Sequence, residues 1–222
     1  MSIVFFDNVT NYEHFQKTML FPPLIKGYRL TELPQNNGRN MNKKDVLIST
    51  NLQKILRFLL SHPLEDFLET EIQRTTGLSK SGVNYALRNL VKTDYISRHK
   101  RGKAYFYQLR RANLIVKQLK IIETLTLLNG LLRKLEPVCS KIILFGSSSR
   151  GENTPDSDID LLIVSRSKGS VIEQIKKAKT KREIQSIICT NVELLERKKT
   201  DPVFYEQAIQ GIVLWERSEN EL

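Results

Sequence analysis

The apolar positions of this chain change period several times, and each change marks an element. Leu52, Ile55, Leu56 and Leu59 fall at i, i+3, i+4 and i+7, which predicts one buried helix face ending at His62-Pro63. A shorter helix is expected over 70–76, closing at Gly77. Ser79 then stands where an N-cap would, ahead of Val83, Ala86, Leu87 and Leu90 at the same helical spacing. After Asp94 the pattern becomes that of strands, over 95–100 and 104–109, with Arg101-Gly102-Lys103 at the turn between them. From 112 to 136 a long helix is expected. Leu114, Ile121, Leu128 and Leu135 repeat every seven residues with Leu125 and Leu132 between, a seam of coiled-coil type, and Asn129-Gly130 is a place for it to break or bend. Its first half is expected to close the domain before it and its second half to pack on the sheet after it. A homodimer seam is the other use of that pattern.

Past this helix the apolar runs are short and separated. Residues 142–145 form a buried strand ending at a glycine, 159–164 a second, 184–189 a third and 212–215 a last. Between them fall a loop over 165–169, an amphipathic basic helix over 171–182, and a helix near 192–199. Another helix starts at Thr200-Asp201-Pro202, where proline suits the first turn, and ends at Gly211. Residues 1–43 are less regular. A short strand over 3–6 is possible, Pro22-Pro23 interrupts any helix, and 34–42 has linker chemistry. An extension used for packing or dimerisation is the expectation there.

The chemistry gathers at the second of the late strands. Asp158 and Asp160 are two apart, so in a strand they project from one face while Ile159 and Leu161 are buried behind them. Adjacent carboxylates repel unless a cation lies between, and hard oxygen ligands suit Mg²⁺ or Mn²⁺. Gly146 and Ser147 open a tight turn into a short helix, whose free N–H groups suit a phosphate. A phosphate cradle facing a divalent cation describes a place for a nucleoside triphosphate, ATP first among them.

Gly-Ser, ten residues, then Asp-hydrophobic-Asp-hydrophobic resembles the signature of the DNA polymerase β-type nucleotidyltransferase superfamily, and in particular its small minimal members, which read LFGSxARG…SDIDLLI. Leu144, Phe145, Gly146, Ser147, Arg150, Gly151 and Ser157 through Ile163 stand at the matching places. The resemblance runs from Lys141 to the C-terminus. It implies that Asp158 and Asp160 bind metal and serve catalysis, and that Gly146, Ser147 and Arg150 hold the nucleotide. It also implies two ions held by three carboxylates, one ion on the triphosphate and one activating the acceptor hydroxyl. The third carboxylate belongs on the strand at 184–189. The positions sharing the acidic face there are Gln185 and Ile187, with Glu183 on the same parity at the strand's edge.

Charge adds a partner. Of 35 Lys+Arg and 24 Asp+Glu, thirteen of each lie from Lys141 onward, which leaves 22 basic and 11 acidic groups in residues 1–140 and the whole +11 excess with them. Such asymmetry points to an acidic partner, nucleic acid before membrane. Between Ser79 and Lys120 eleven basic residues face a single acid, Asp94. Ser81, Asn84, Tyr85 and Arg88 occupy the helix face opposite the buried one, with Arg88 suited to guanine and Asn84 to adenine. Arg98, Lys100, Arg101 and Lys103 on the hairpin suit phosphates. Helix, helix, helix, hairpin resembles the winged helix-turn-helix of archaeal and bacterial transcription regulators, which implies double-stranded DNA as partner.

No apolar run has the length of a membrane span, the N-terminus lacks a basic-then-apolar signal pattern, and Cys139 and Cys189 have no zinc or disulfide spacing. A cytoplasmic protein without membrane partners is expected. The fold class predicted is α+β: an N-terminal winged helix-turn-helix followed by a small α/β nucleotidyltransferase-fold domain with a mixed sheet. Its expected bounds are 1–43 for the extension and linker, 44–118 for the DNA-binding domain, 119–136 for the connecting helix and 137–222 for the nucleotidyltransferase-like domain. Two function classes follow. One is a DNA-binding transcription regulator whose nucleotidyltransferase domain binds NTP with Mg²⁺, for nucleotide sensing or weak nucleotidyl transfer. The other is an active nucleotidyltransferase acting on a protein or small-molecule hydroxyl, or an antitoxin-like module paired with a toxin protein.

Overall fold

A computed structural model describes residues 50–217. The expected extension over 1–43 and the first residues of the segment expected from 44 lie outside them. Thr50 caps the first helix, α1 (Asn51–Leu60), in a reciprocal box with Gln53, an arrangement that contributes about 1 kcal/mol. Its Ile55, Leu56, Leu59 and Leu60 are buried. A three-residue strand, β1 (Asp66–Leu68), leads into α2 (Glu69–Thr76). That strand is too short to show a period in the sequence. Ser79 accepts from the Gly82 N–H and starts α3 (Lys80–Lys92), which buries Val83, Ala86, Leu87 and Leu90. The hairpin follows as β2 (Ile96–Arg101) and β3 (Ala104–Leu109). With β1 it forms an antiparallel sheet in the order β1-β3-β2.

Asn113 caps α4 (Leu114–Leu135) by accepting from the Ile115 and Val116 N–H groups. This helix runs through Asn129-Gly130 without the break that was one of the two outcomes expected there. The glycine costs about 1 kcal/mol of helix propensity, and the burial of Leu128, Leu131, Leu132 and Leu135 around it outweighs that cost. Both cores share the helix. Val116 lies in the core of the first helices and hairpin, while Leu128 and its neighbours lie in the core of the following sheet. Of the seven-residue seam, Ile121, Leu128, Leu132 and Leu135 are buried inside the chain and Leu114 is exposed.

After a 3₁₀ turn (Glu136–Val138) come β4 (Lys141–Phe145), the four-residue helix α5 (Gly146–Ser149), β5 (Ile159–Val164), α6 (Lys168–Lys176), β6 (Ile184–Cys189), α7 (Asn191–Thr200), α8 (Pro202–Ile209) and β7 (Ile212–Glu216). The sheet order is β6-β5-β4-β7. β5 and β6 are parallel, and β4 is antiparallel to both β5 and β7, so the sheet is mixed as expected. α6 ends six residues before the expected Arg182. Val171 is its one buried residue, and past Ala178 the chain offers lysines with no apolar face to bury. No helix among the described residues is long and apolar enough to cross a membrane.

Candidate functional site

Antiparallel pairing sets Phe145 opposite Asp160, so the turn leaving β4 lies beside the acidic end of β5. Gly146 has φ +67°, and a Cβ on it would fall 2.1 Å from Asp160 Oδ2. The Asp160 carboxylate therefore occupies the space that a side chain at 146 would fill. Glycine is required on both counts, backbone and space. Burial first, and the Asp158 charge second, push the Asp160 carboxyl above its ordinary range, while Arg182 and Arg150 pull it back. A carboxylate whose proton affinity is raised by a neighbouring carboxylate is one that a cation would relieve.

The parallel strand β6 sets Gln185 opposite Asp160, and its Nε2 donates to Asp158 Oδ2 at 2.8 Å. An amide thus stands on the acidic face where the resemblance implies a third carboxylate. Glu183, one residue before β6, is exposed, and the carboxylate acting on Asp160 is that of Asp158. Among the described residues no three His, Cys, Asp or Glu side chains converge on a metal position. The donor set fits one divalent ion with water and phosphate oxygens completing its shell, as Mg²⁺ accepts. A second ion would find no carboxylate of its own beside them among the described residues.

Around the turn, Ser148 is fully buried and its hydroxyl donates to the Asp158 carbonyl at 3.3 Å. The Ser147 carbonyl accepts from the Arg150 and Glu152 N–H groups, at 3.3 and 2.9 Å. Arg150 is exposed, and its Nε donates to Glu152 at 3.0 Å. Glu152 also receives Lys117 of α4 at 2.7 Å, and these two cations hold its carboxyl below the usual range. Arg182 bonds to Ser148, Ser157, Asp158 and Thr124. Nothing local marks its place, since it follows Lys179 and Lys181 at the end of the segment expected as an amphipathic basic helix.

On α3, Ser81, Tyr85 and Arg88 are exposed, Tyr85 at 72%. Asn84 is half-buried and its Nδ2 donates to Glu69 of α2 at 3.3 Å. On the hairpin, Arg98, Lys100, Arg101 and Lys103 are all exposed. Arg98 lies over the Tyr105 ring at 4.6 Å and Arg101 over the Phe106 ring at 4.5 Å, with Arg101 also paired to Asp66 of β1. The hairpin thus presents exposed cations, two of whose arginines, Arg98 and Arg101, are braced by aromatic rings.

Residues 128–220 match the family model described as Polymerase beta, Nucleotidyltransferase. No curated protein matches. Among solved structures, the chain is similar to a candidate nucleotidyltransferase from Sulfolobus solfataricus, at 18% identity, 47% coverage of this chain, 90% of that one and a TM-score of 0.33. It is also similar to TrmBL2, an archaeal chromatin protein described as having a novel mode of DNA binding, at 14% identity, 69% and 70% coverage and a TM-score of 0.25. Over residues 128–220, the chain is thus similar to the nucleotidyltransferase domain of the polymerase β family.

Proposed function

We propose that this is a DNA-binding protein whose nucleotidyltransferase domain holds a nucleoside triphosphate through one divalent ion. The bound nucleotide acts as a regulatory signal, and nucleotidyl transfer is slow or absent. ATP with Mg²⁺ is the first pair to test. One observation carries the reading: Gln185 stands opposite Asp160 with its amide on Asp158. Asp158, Asp160 and the turn at Gly146 and Ser147 suffice to bind a metal-bridged triphosphate. The ion that would lower the pKa of an acceptor hydroxyl relies on a third anionic ligand, and an amide supplies none of that charge. Binding and turnover are thereby separated.

In this reading residues 44–118 are a winged helix-turn-helix, with α3 as the recognition helix and β2–β3 as the wing. Residues 119–136 connect it to the nucleotidyltransferase domain over 137–222. Support comes from the order of helices and hairpin, from exposed Ser81, Tyr85 and Arg88 on one helix face, and from the cations of the wing. Calorimetry of ATP with and without Mg²⁺, run beside a labelled-NTP transfer assay, tests the first half. Metal-dependent binding abolished by Asp160→Asn, with negligible transfer, is the expected result; rapid transfer by the wild type refutes it. Titration of duplex DNA at several salt concentrations tests the second half, because each neutralised phosphate releases counterions. Binding insensitive to salt, or none to any duplex, refutes the DNA-binding reading.

A further inference from the structure

Arg182 lies between α6 and β6, and its guanidinium is spent inside the protein. Nε donates to the Ser157 carbonyl at 2.6 Å. Nη2 donates to the Asp158 carbonyl at 2.7 Å and to the buried Ser148 hydroxyl at 2.6 Å, and Nη1 to the Thr124 hydroxyl at 3.4 Å. These acceptors belong to three separate pieces of chain: the entry to β5, the short helix α5, and the connecting helix α4. The Ser148 hydroxyl passes the link on by donating to the same Asp158 carbonyl.

We propose that Arg182 is the positioning residue of the cation site. Its planar fork ties the turn at 146–149 to the strand entry at 157–158 and anchors both to α4, so that the Asp158 and Asp160 carboxylates face one ion before it arrives. The proposal rests on the nucleotide-binding reading above. Two features separate this role from simple charge compensation. All four hydrogen bonds go to carbonyls and hydroxyls, none to a carboxylate oxygen, so Arg182 occupies no ligand position. Its positive charge also sits close enough to act on Asp160, and a cation there repels Mg²⁺. Charge and position therefore predict opposite outcomes when Arg182 is removed. Charge alone predicts tighter metal binding, whereas lost positioning predicts weaker binding. Lysine separates them again, because it keeps the charge but cannot reproduce a fork that reaches three pieces of chain.

The test uses the full chain and Mn²⁺ alone, with free Mn²⁺ read by electron paramagnetic resonance. Arg182→Lys and Arg182→Met should each weaken Mn²⁺ binding about tenfold or more, and Ser148→Ala, which removes one shared partner and leaves the other three bonds of Arg182 in place, about threefold, in line with the net worth of one ordinary hydrogen bond. Ser148→Ala should add little on the Arg182→Met background, since both cut the same link. Hydrogen exchange keeps the test independent of metal: amides at 147–151 and 157–160 should exchange faster in Arg182→Lys, with those of β4 unchanged. Wild-type or tighter Mn²⁺ affinity in Arg182→Met, or full rescue by Arg182→Lys, overturns the proposal. If the wild type binds no Mn²⁺, the nucleotide-binding reading falls. Exchange then decides the role of Arg182 by itself, and unchanged exchange in Arg182→Lys overturns that too.

Discussion

Gly146→Ala and Gly151→Ala are the same chemical change at two positive-φ positions five residues apart, and the structure assigns them opposite consequences. Both start from a similar backbone penalty, since φ is +67° at Gly146 and +65° at Gly151. A Cβ in the left-handed region costs about 1–2 kcal/mol. The next contact then decides. At Gly146 the new methyl would lie 2.1 Å from Asp160 Oδ2, the far end of a side chain that can rotate away. At Gly151 it would lie 2.1 Å from the Lys117 carbonyl oxygen and 2.7 Å from the carbon and Cα behind it, which are backbone of α4. That clash has no rotamer to escape into, and overpacking of this kind adds about 1–3 kcal/mol.

Gly146→Ala should therefore cost the fold about 1–2 kcal/mol and lower the melting temperature by about 2–8 °C. It should cost the site far more, because the rotated Asp160 leaves the ion with one carboxylate, and Mg²⁺-dependent ATP binding should weaken at least tenfold, a change of about 1.4 kcal/mol. Gly151→Ala should lose about 2–5 kcal/mol of stability and yet, where folded, bind ATP within about threefold of wild type, a difference of under about 1 kcal/mol. Thermal melts paired with calorimetry on both variants give the two numbers needed. Unchanged ATP affinity in Gly146→Ala would refute the reasoning, because Asp160 could then leave its place without consequence.

Gln185→Glu sets a carboxylate 2.8 Å from Asp158 Oδ2. Melts in EDTA should show it destabilised, with stability restored by Mn²⁺, and bound Mn²⁺ should rise from one per chain to two; no change in stoichiometry would show that Gln185 is not what excludes the second ion. Lys120 is 3% exposed and burial lowers its pKa to about 8, with Arg182 and Arg111 adding to the drop and Glu123 opposing it. A lysine depressed on folding destabilises fully below about pH 8, and the penalty fades as pH rises toward its unfolded value of 10.5. Lys120→Met should accordingly melt above wild type at pH 7, with the gap narrowing by pH 9.5; a constant gap would show that packing alone is responsible. Arg88→Ala should weaken binding to a preferred duplex by about 1–3 kcal/mol and blur one base position, whereas Lys103→Ala should weaken all duplexes alike and lower the salt slope by about one, both read by competition titration.

The elements that could be read in advance are those with a long apolar period. Four-residue repeats in α1 and α3 and the runs of β4 and β5 gave their positions to within a residue or two, since burial leaves a regular trace in the sequence. Elements without such a trace did not. β1 is three residues long and owes its existence to its partner β3, and α6 stops where a charged run ceases to offer anything to bury. The acidic pair was legible because strand alternation alone puts Asp158 and Asp160 on one face, and the same parity argument placed Gln185 among the β6 residues sharing it.

Arg182 shows where such reasoning stops. Parity and period describe one element at a time, whereas Arg182 belongs to none. It leaves the chain between a helix and a strand, and its role arises from segments 24, 34 and 58 residues away meeting around one guanidinium. Its neighbours Lys179 and Lys181 have the same charge and much the same composition around them, yet both are exposed. What distinguishes Arg182 is that β6 pairs in parallel with β5, next to the Ile159 N–H on the Glu183 carbonyl at 2.8 Å. That pairing brings the residue before Glu183 within hydrogen-bond reach of the Ser157 and Asp158 carbonyls. The sheet register, which no local pattern encodes, thus turns one basic residue of a solvated run into part of the site.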